Sequence, residues 1–268
     1  MNIFEKFIYF LQGTMETPVS YGWLHLMWVF LIIISVIFLY KIRHRYNEKQ
    51  LKVVLFIYGF TAFILELLKQ ITWSFNYNNG VVVWDYQWYA APFQLCTTPI
   101  FISLICVFLK DNKIRKALLS YMGFTTILGS LMTMIIPDSC FTSDILINIH
   151  TMWLHAGSLV VSIYLLMNEV EINTKNLKSS ILVFLIFVGI ALILNISIYN
   201  MGVLNGEEFN MFYISPYFIS ELPVFNFIQE NVPYLIYLLF YILVLSLGTS
   251  VVFIISKIIK NINLVKIK

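Results

Sequence analysis

Residues 21–52 read YGWLHLMWVFLIIISVIFLYKIRHRYNEKQLK, and this stretch decides the fold. Its first half contains His25 but no Asp, Glu, Lys or Arg. Its second half carries Lys41, Arg43, Arg45, Lys49 and Lys52. An apolar run of about 20 residues matches the thickness of the hydrocarbon core when it is helical. Helix is required there because backbone groups in lipid must find their partners within the segment. The basic flank marks the side that stays cytoplasmic.

The same alternation recurs along the whole chain. Six further apolar runs cover about Val53–Trp73, Pro92–Leu109, Leu118–Ile136, Ile145–Met167, Ser180–Tyr199 and Tyr234–Ile255. Lys110, Lys113, Arg115 and Lys116 follow the third run, and Lys175 and Lys178 follow the fifth. Lys257, Lys260, Lys266 and Lys268 follow the seventh. Fifteen of the 17 Lys and Arg therefore occupy every second gap. The opposite side keeps only Lys6 and Lys69, and it carries Glu16, Asp85, Asp138, Asp144, Glu207, Glu208, Glu221 and Glu230. The pattern predicts an all-α polytopic membrane protein with seven transmembrane helices. Its N-terminus is expected outside and its C-terminus in the cytoplasm, with residues 1–268 forming a single domain in the cell membrane.

Composition agrees. The 268 residues are 60% hydrophobic and 12% charged, a balance with which a soluble domain could not cover its core. The net charge of +3 is spread over loops and offers no surface for nucleic acid. Residues 1–12 carry Glu5 and Lys6 and lack a small-residue cleavage site. Ile3, Phe4, Phe7, Ile8 and Leu11 share one helical face, so a short interfacial helix is expected. Segment 74–91 is rich in Trp, Tyr and Asn, which fits an interfacial belt. Segment 200–233 is too apolar for a linker and is expected to fold over the outer mouth as a lid. No internal repeat is visible.

Function is read from polar residues inside the apolar runs. An ionisable side chain near mid-membrane costs about 2.5–3.5 kcal/mol on insertion scales. His25 lies about one turn into the first span from outside. Glu66 lies in the outer half of the second, with Gln70 at i+4 on the same face. Cys96 lies about one turn into the third span. His150 is shallow and His155 deeper in the fifth, and Asn195 is near the outer end of the sixth. Such depths can bring these side chains to one polar cavity open to the outer leaflet.

Pro92 in a first helical turn would place Cys96 near a helix N-terminus, which favours thiolate. Pro99 inside the span would free the carbonyl of Leu95. Against this, a buried Cys is usually inert packing, and a Cys96–Cys140 disulfide would remove the nucleophile. His155 is the base candidate for the thiol. His25, Glu66 and Asn195 either orient that imidazole, bind a headgroup, or make structural hydrogen bonds between helices. Asp138, after Pro137, caps a turn or faces the same mouth. No Cys-x-x-Cys, His-x-x-x-His or Gly-rich phosphate loop is present, so neither metal nor cofactor is expected. His150 and His155 point about 140° apart on a helix, which argues against a shared zinc ion.

Several short motifs occur in a telling order. Gln94-Leu95-Cys96, Pro137-Asp138 and Trp153-Leu154-His155-Ala156-Gly157 resemble the YwaF-type bacterial integral membrane proteins, as do His25, Glu66 and Asn210-Met211. That family is similar to animal membrane acyltransferases that remodel ether phospholipids. A more distant relative is the androgen-induced-gene group of lipid hydrolases, which uses a Thr and a His. The resemblance covers most of the chain. It implies that Cys96 accepts an acyl group, that His155 is its base, and that the partner is a phospholipid or another membrane lipid. It also makes Gln94 and Asn210 supporting or substrate-binding residues. One departure is that Ala156 stands between His155 and Gly157, where the family commonly has His directly before Gly.

The expected activity is therefore membrane lipid acyl transfer or hydrolysis, with His25 or Asn195 stabilising the oxyanion. The alternative is a transporter or small-molecule-binding protein in which Glu66 and two His relay protons. An intramembrane zinc hydrolase using His25, His150, His155 and Glu66 is the less favoured third reading.

Overall fold

The computed structural model describes residues 1–78, 80–137 and 140–265. A short helix α1 (Ile3–Leu11) opens the chain, capped reciprocally by Asn2 and Glu5. α2 (Trp23–Ile42) and α3 (Glu48–Thr72) follow, then a hairpin of β1 (Phe75–Asn78) and β2 (Val81–Trp84). Its register pairs Phe75 with Trp84 and Asn78 with Val81. α4 (Thr98–Phe108), α5 (Lys113–Tyr121) and α6 (Ile127–Ile135) come next, then α7 (Ile145–Asn168) and α8 (Thr174–Asn200). α9 (Phe225–Asn231) and α10 (Tyr234–Val265) complete the chain. Among the described residues, six helical segments are long and apolar enough to cross a membrane, and α4 is a shorter apolar helix. The chain is an all-α polytopic membrane protein.

Helix starts on the basic side share one device. Asn47, Asn112 and Asn173 each accept a backbone N–H of the following first turn, at the heads of α3, α5 and α8. α5 and α6 form one span, joined by a wide π turn at Met122–Thr126. The turn loosens the backbone ladder, and hydroxyls make good the loss. The carbonyl of Met122 accepts the hydroxyls of Thr126 at 2.8 Å and of Ser162 on α7 at 2.7 Å. Thr125 meets Ser180 of α8 at 2.8 Å and receives Thr249 of α10 at 3.3 Å. Four spans are thus joined through short side chains, as polar contacts join helices where lipid gives no hydrophobic drive.

The third span differs from expectation. Helix begins at Thr98, not at Pro92, and α4 has 11 residues. At 1.5 Å per residue that is about 16 Å, roughly half the hydrocarbon core. The chain still runs the whole length of α3. At one end Gln70 donates to the carbonyl of Ala90 at 2.7 Å. At the other the Arg115 guanidinium meets Glu48 at 3.0 Å. Glu48 and Gln70 are about 33 Å apart along α3, so residues 90–115 traverse that distance half as coil and half as helix.

Proline explains the split. Pro99 falls in the first turn of α4, where a missing N–H costs nothing. The carbonyl of Leu95, expected to be freed by Pro99, is not free, because the Thr98 hydroxyl donates to it at 2.8 Å. Thr97 serves the coil: its hydroxyl donates to the Gln94 carbonyl at 3.0 Å and accepts the Gln94 N–H at 2.9 Å. Irregular backbone at this depth is tolerable because protein surrounds it.

α7 is the central element, with α2, α3 and α6 packed on it. The ring of Tyr58 on α3 packs against Gly157, and its hydroxyl donates to the Leu154 carbonyl at 3.3 Å. The basic end is closed by Arg115–Glu48 and by the Tyr46 phenol, which donates to Glu169. Burial, and then the Glu169 carboxylate, holds the Tyr46 phenol above its ordinary pKa, so it remains a donor. At the opposite end the N–H of Met15 donates to the Ser143 carbonyl at 2.8 Å, and the N–H of Trp88 donates to Glu207 at 2.7 Å.

A Cβ at Gly157 would meet the Tyr58 ring at 2.8 Å, whereas one at Gly189 meets nothing within 4 Å. Gly157→Ala is therefore expected to destabilise the purified protein by about 1–3 kcal/mol. Gly189→Ala should leave it unchanged or stabilise it by up to about 1 kcal/mol through helix propensity. Thermal unfolding in detergent compares the two, and equal midpoints would contradict the packing described.

Candidate functional site

The sequence Glu66-Leu67-Leu68-Lys69-Gln70 builds the centre of the site. Positions 66, 69 and 70 fall on one face of α3. The Lys69 ammonium and the Gln70 amide both reach Oε1 of Glu66, each at 2.8 Å. Oε2 meets Nε2 of His150, on α7, at 2.7 Å. Glu66, His150 and Lys69 are only 3%, 5% and 9% exposed. A carboxylate so buried is stable only with such partners around it. Gln70 extends the network outward, accepting the Tyr86 phenol at 3.0 Å as well as donating to Ala90.

Cys96 lies beside this network. It sits in the irregular stretch two residues before α4 and packs, half-buried, into the main core. Its thiol is within electrostatic reach of Lys69 and Glu66. The phenols of Tyr58, Tyr121 and Tyr213 lie within electrostatic range of the sulfur in turn. Cys96 and Cys140 are not joined by a disulfide.

His155 is 8% exposed, and among the described residues its Nδ1 has no hydrogen-bond partner. It lies within electrostatic range of His150. Ser158, nearly one turn further on α7, is 1% exposed and its hydroxyl lies beside the Tyr58 phenol. A buried polar atom is rarely left as the His155 Nδ1 is. It is suited to a polar group that the described residues do not supply. Among the described residues, no hydrogen bond joins His155 to Cys96.

The remaining expected residues are committed elsewhere. His25 accepts the Tyr21 N–H at Nδ1 (3.1 Å) and faces the Met134 carbonyl with Nε2 (3.0 Å), so both ring nitrogens are used. Asn195 brackets Met211, accepting its N–H at 2.7 Å and donating to its carbonyl at 3.0 Å. Gln94 donates to the Asn210 carbonyl at 3.0 Å and accepts the Phe212 N–H at 2.7 Å. Asn210 accepts the Ser215 N–H at 2.8 Å and donates to the Ile219 carbonyl at 3.1 Å. These three amides clamp one outer segment, in which Met211, Phe212 and Ile214 are fully buried. Phe212 and Tyr213 there hold left-handed φ of 58° and 57°. Asp138 lies outside the described residues.

The single cavity read from sequence therefore narrows. Glu66 and Gln70 of α3 are joined to His150 of α7, with Cys96 within electrostatic range of Glu66 and His155 within electrostatic range of His150. His25 and Asn195 are satisfied by backbone groups and leave the group. Lys69 was counted in sequence only as a stray charge. Its i,i+3 spacing from Glu66 is the signal that identifies it. Among the described residues, no three His, Cys, Asp or Glu side chains converge as metal ligands would.

The sequence model of the TMEM164 family matches residues 19–260, and the chain belongs to that family of integral membrane proteins. Searches of curated proteins and of solved structures returned no match.

Glu66→Leu would strand the Lys69 ammonium and remove the His150 contact. A loss of about 3–5 kcal/mol is expected, as when one partner of a buried ion pair is deleted. Glu66→Leu with Lys69→Met should recover much of it, and denaturation of the single and double variants measures the coupling. Strictly additive losses would show that the two side chains are independent.

Proposed function

We propose that this TMEM164 family member transfers or hydrolyses acyl groups of membrane lipids, with Cys96 as nucleophile and His155 as base. One observation carries the reading: His155 is a buried imidazole with a ring nitrogen unengaged among the described residues, and it lies within electrostatic range of His150, which binds the Glu66 carboxylate that Cys96 also feels. The motif likeness to YwaF-type proteins, and through them to ether-phospholipid acyltransferases, supports a phospholipid or related lipid as substrate.

In the proposed chemistry the thiol proton passes to His155 as the sulfur attacks an ester carbonyl carbon. A C–S bond forms, the ester C–O bond breaks, and the departing alcohol takes the proton from the imidazolium. A second alcohol, or water, then gives its proton to His155 and attacks the thioester, which returns the thiol. His25 and Asn195 are occupied and do not serve the oxyanion. Ser158, whose hydroxyl lies beside the Tyr58 phenol, takes that role in this reading. The ionic network of Glu66 holds α3 against α7 and so fixes where Cys96 and His155 stand. In this reading the thiol and the imidazole meet when substrate is bound, as catalytic contacts tighten in the complex.

Residues 200–233 act in this reading as a lid on the outer side. The clamped, left-handed Phe212–Tyr213 pair supports it, since strained backbone gathers where a segment closes on a site. The expected orientation, N-terminus outside and C-terminus cytoplasmic in the cell membrane, opens the site to the outer leaflet. The buried Glu66–Lys69–His150 network favours a second reading, a proton-linked transport or binding protein.

Incubation with a phospholipid bearing a clickable acyl chain separates the two. The first reading expects a hydroxylamine-labile label on the protein, lost in Cys96→Ala and slowed at least about a hundredfold in His155→Ala. Turnover unchanged in Cys96→Ala would overturn it. Substrate uptake into proteoliposomes without any product would establish the second.

A further inference from the structure

A second feature lies on the other face of α7. α2 and α3 are joined by a few residues, yet each packs on α7 and they scarcely touch one another. Between them is a slot of about 740 Å³, within the range of ligand-binding cavities. Phe38 and Ile57 wall it, and Gly157 and Val160 form part of its floor. It is hydrocarbon and aromatic surface along most of its length, with Ser35 the exception among its aliphatic walls. Polarity is concentrated at one end, where Asn47, Lys49 and Gln50 stand at the head of α3.

The charges at that end are unbalanced. The Glu48 carboxylate is taken by Arg115 at 3.0 Å and by Lys52 at 3.6 Å. Arg43 lies over the Tyr40 ring at 3.7 Å. Lys49 is exposed and, among the described residues, has no carboxylate partner, and the same holds for Lys41 and Arg45 on the adjoining loop. A hydrocarbon slot ending in free cations has the polarity of one acidic phospholipid. Its acyl chain would fill the slot and its phosphate would meet Lys49. A protein helix fits worse, since four turns about 10 Å across occupy on the order of 1,700 Å³.

We propose that this slot binds one anionic phospholipid from the leaflet that meets the basic loops. The site is separate from the Cys96 region. Trp153, Gly157 and Val160 fall on one face of α7, while His155 and Ser158 fall on the opposite one.

The full chain, purified in zwitterionic detergent and mixed with equimolar phosphatidylglycerol and phosphatidylcholine, provides the test by native mass spectrometry. One bound phosphatidylglycerol is expected, favoured about tenfold over phosphatidylcholine. Lys49→Glu, an exposed change that leaves the core intact, should cut its retention about tenfold. Val160→Phe, which fills the slot, should displace both lipids. Cys96→Ala should retain the lipid, so failure of the acyl-transfer reading leaves this result standing. Equal retention of the two lipids would overturn the proposal. So would retention unchanged in both slot variants, or a lipid-free dimer.

Discussion

The Glu66 carboxylate is the constraint around which the outer half of the bundle is organised. A bare carboxylate at that burial would cost several kcal/mol, so the fold must bring it donors. Lys69 and Gln70 come from the same helix and need only a rotamer each. His150 must come from α7, and this contact fixes the rotation of α7 against α3. Gln70 then reaches from the carboxylate to Ala90 and Tyr86. One buried charge thereby positions two spans, the stretch after the hairpin and the entry to the third crossing.

That third crossing explains why a reactive side chain can stand where Cys96 does. In a full helix the carbonyls and N–H groups around position 96 would be sealed in the ladder. Here the descent from Ala90 to Thr97 is coil, and Gln94 and Thr97 satisfy it from within. The same Gln94 amide holds Phe212 in its left-handed conformation. The coil before α4 and the outer segment 210–215 are therefore one structural unit. The Phe93 ring against Phe212 adds a second link to that of Gln94.

Much of this was legible in the sequence. Length and apolarity located the spans, apart from the third, though the helix of the sixth begins six residues earlier and the last runs on past Ile255 to Val265. Hydropathy failed there because an apolar coil buried in protein has the same composition as an apolar helix. Pro99 was the usable sign, since proline is at home in a first turn and costly in the middle of a span. Glu66 and Gln70 were legible as a face of α3. The choice between His150 and His155 was not. Two residues five apart point in different directions, and which one meets Glu66 depends on how α7 is turned. His25 and Asn195 could not be told apart from site residues by type, because their partners are backbone groups of Tyr21, Met134 and Met211. Such partners leave no residue signature.

The placement of Ala156 between His155 and Gly157 now has a physical account. Gly157 must lie against Tyr58, because any side chain there would enter the ring. A histidine immediately before it would be rotated about 100° from that contact and would sit at the edge of the lipid-facing slot. Two residues before it, the rotation is about 200°, which turns His155 into the bundle with Ser158 and Ser162. Ser162 is bound to the π turn at Met122, so the direction of this face is set independently of His155. The extra residue thus separates the two surfaces of α7. The glycine face packs on Tyr58 and borders hydrocarbon, and the polar face carries the unengaged imidazole. Tyr58 stands between them, lining the slot on one side and meeting the Ser158 hydroxyl of the polar face on the other.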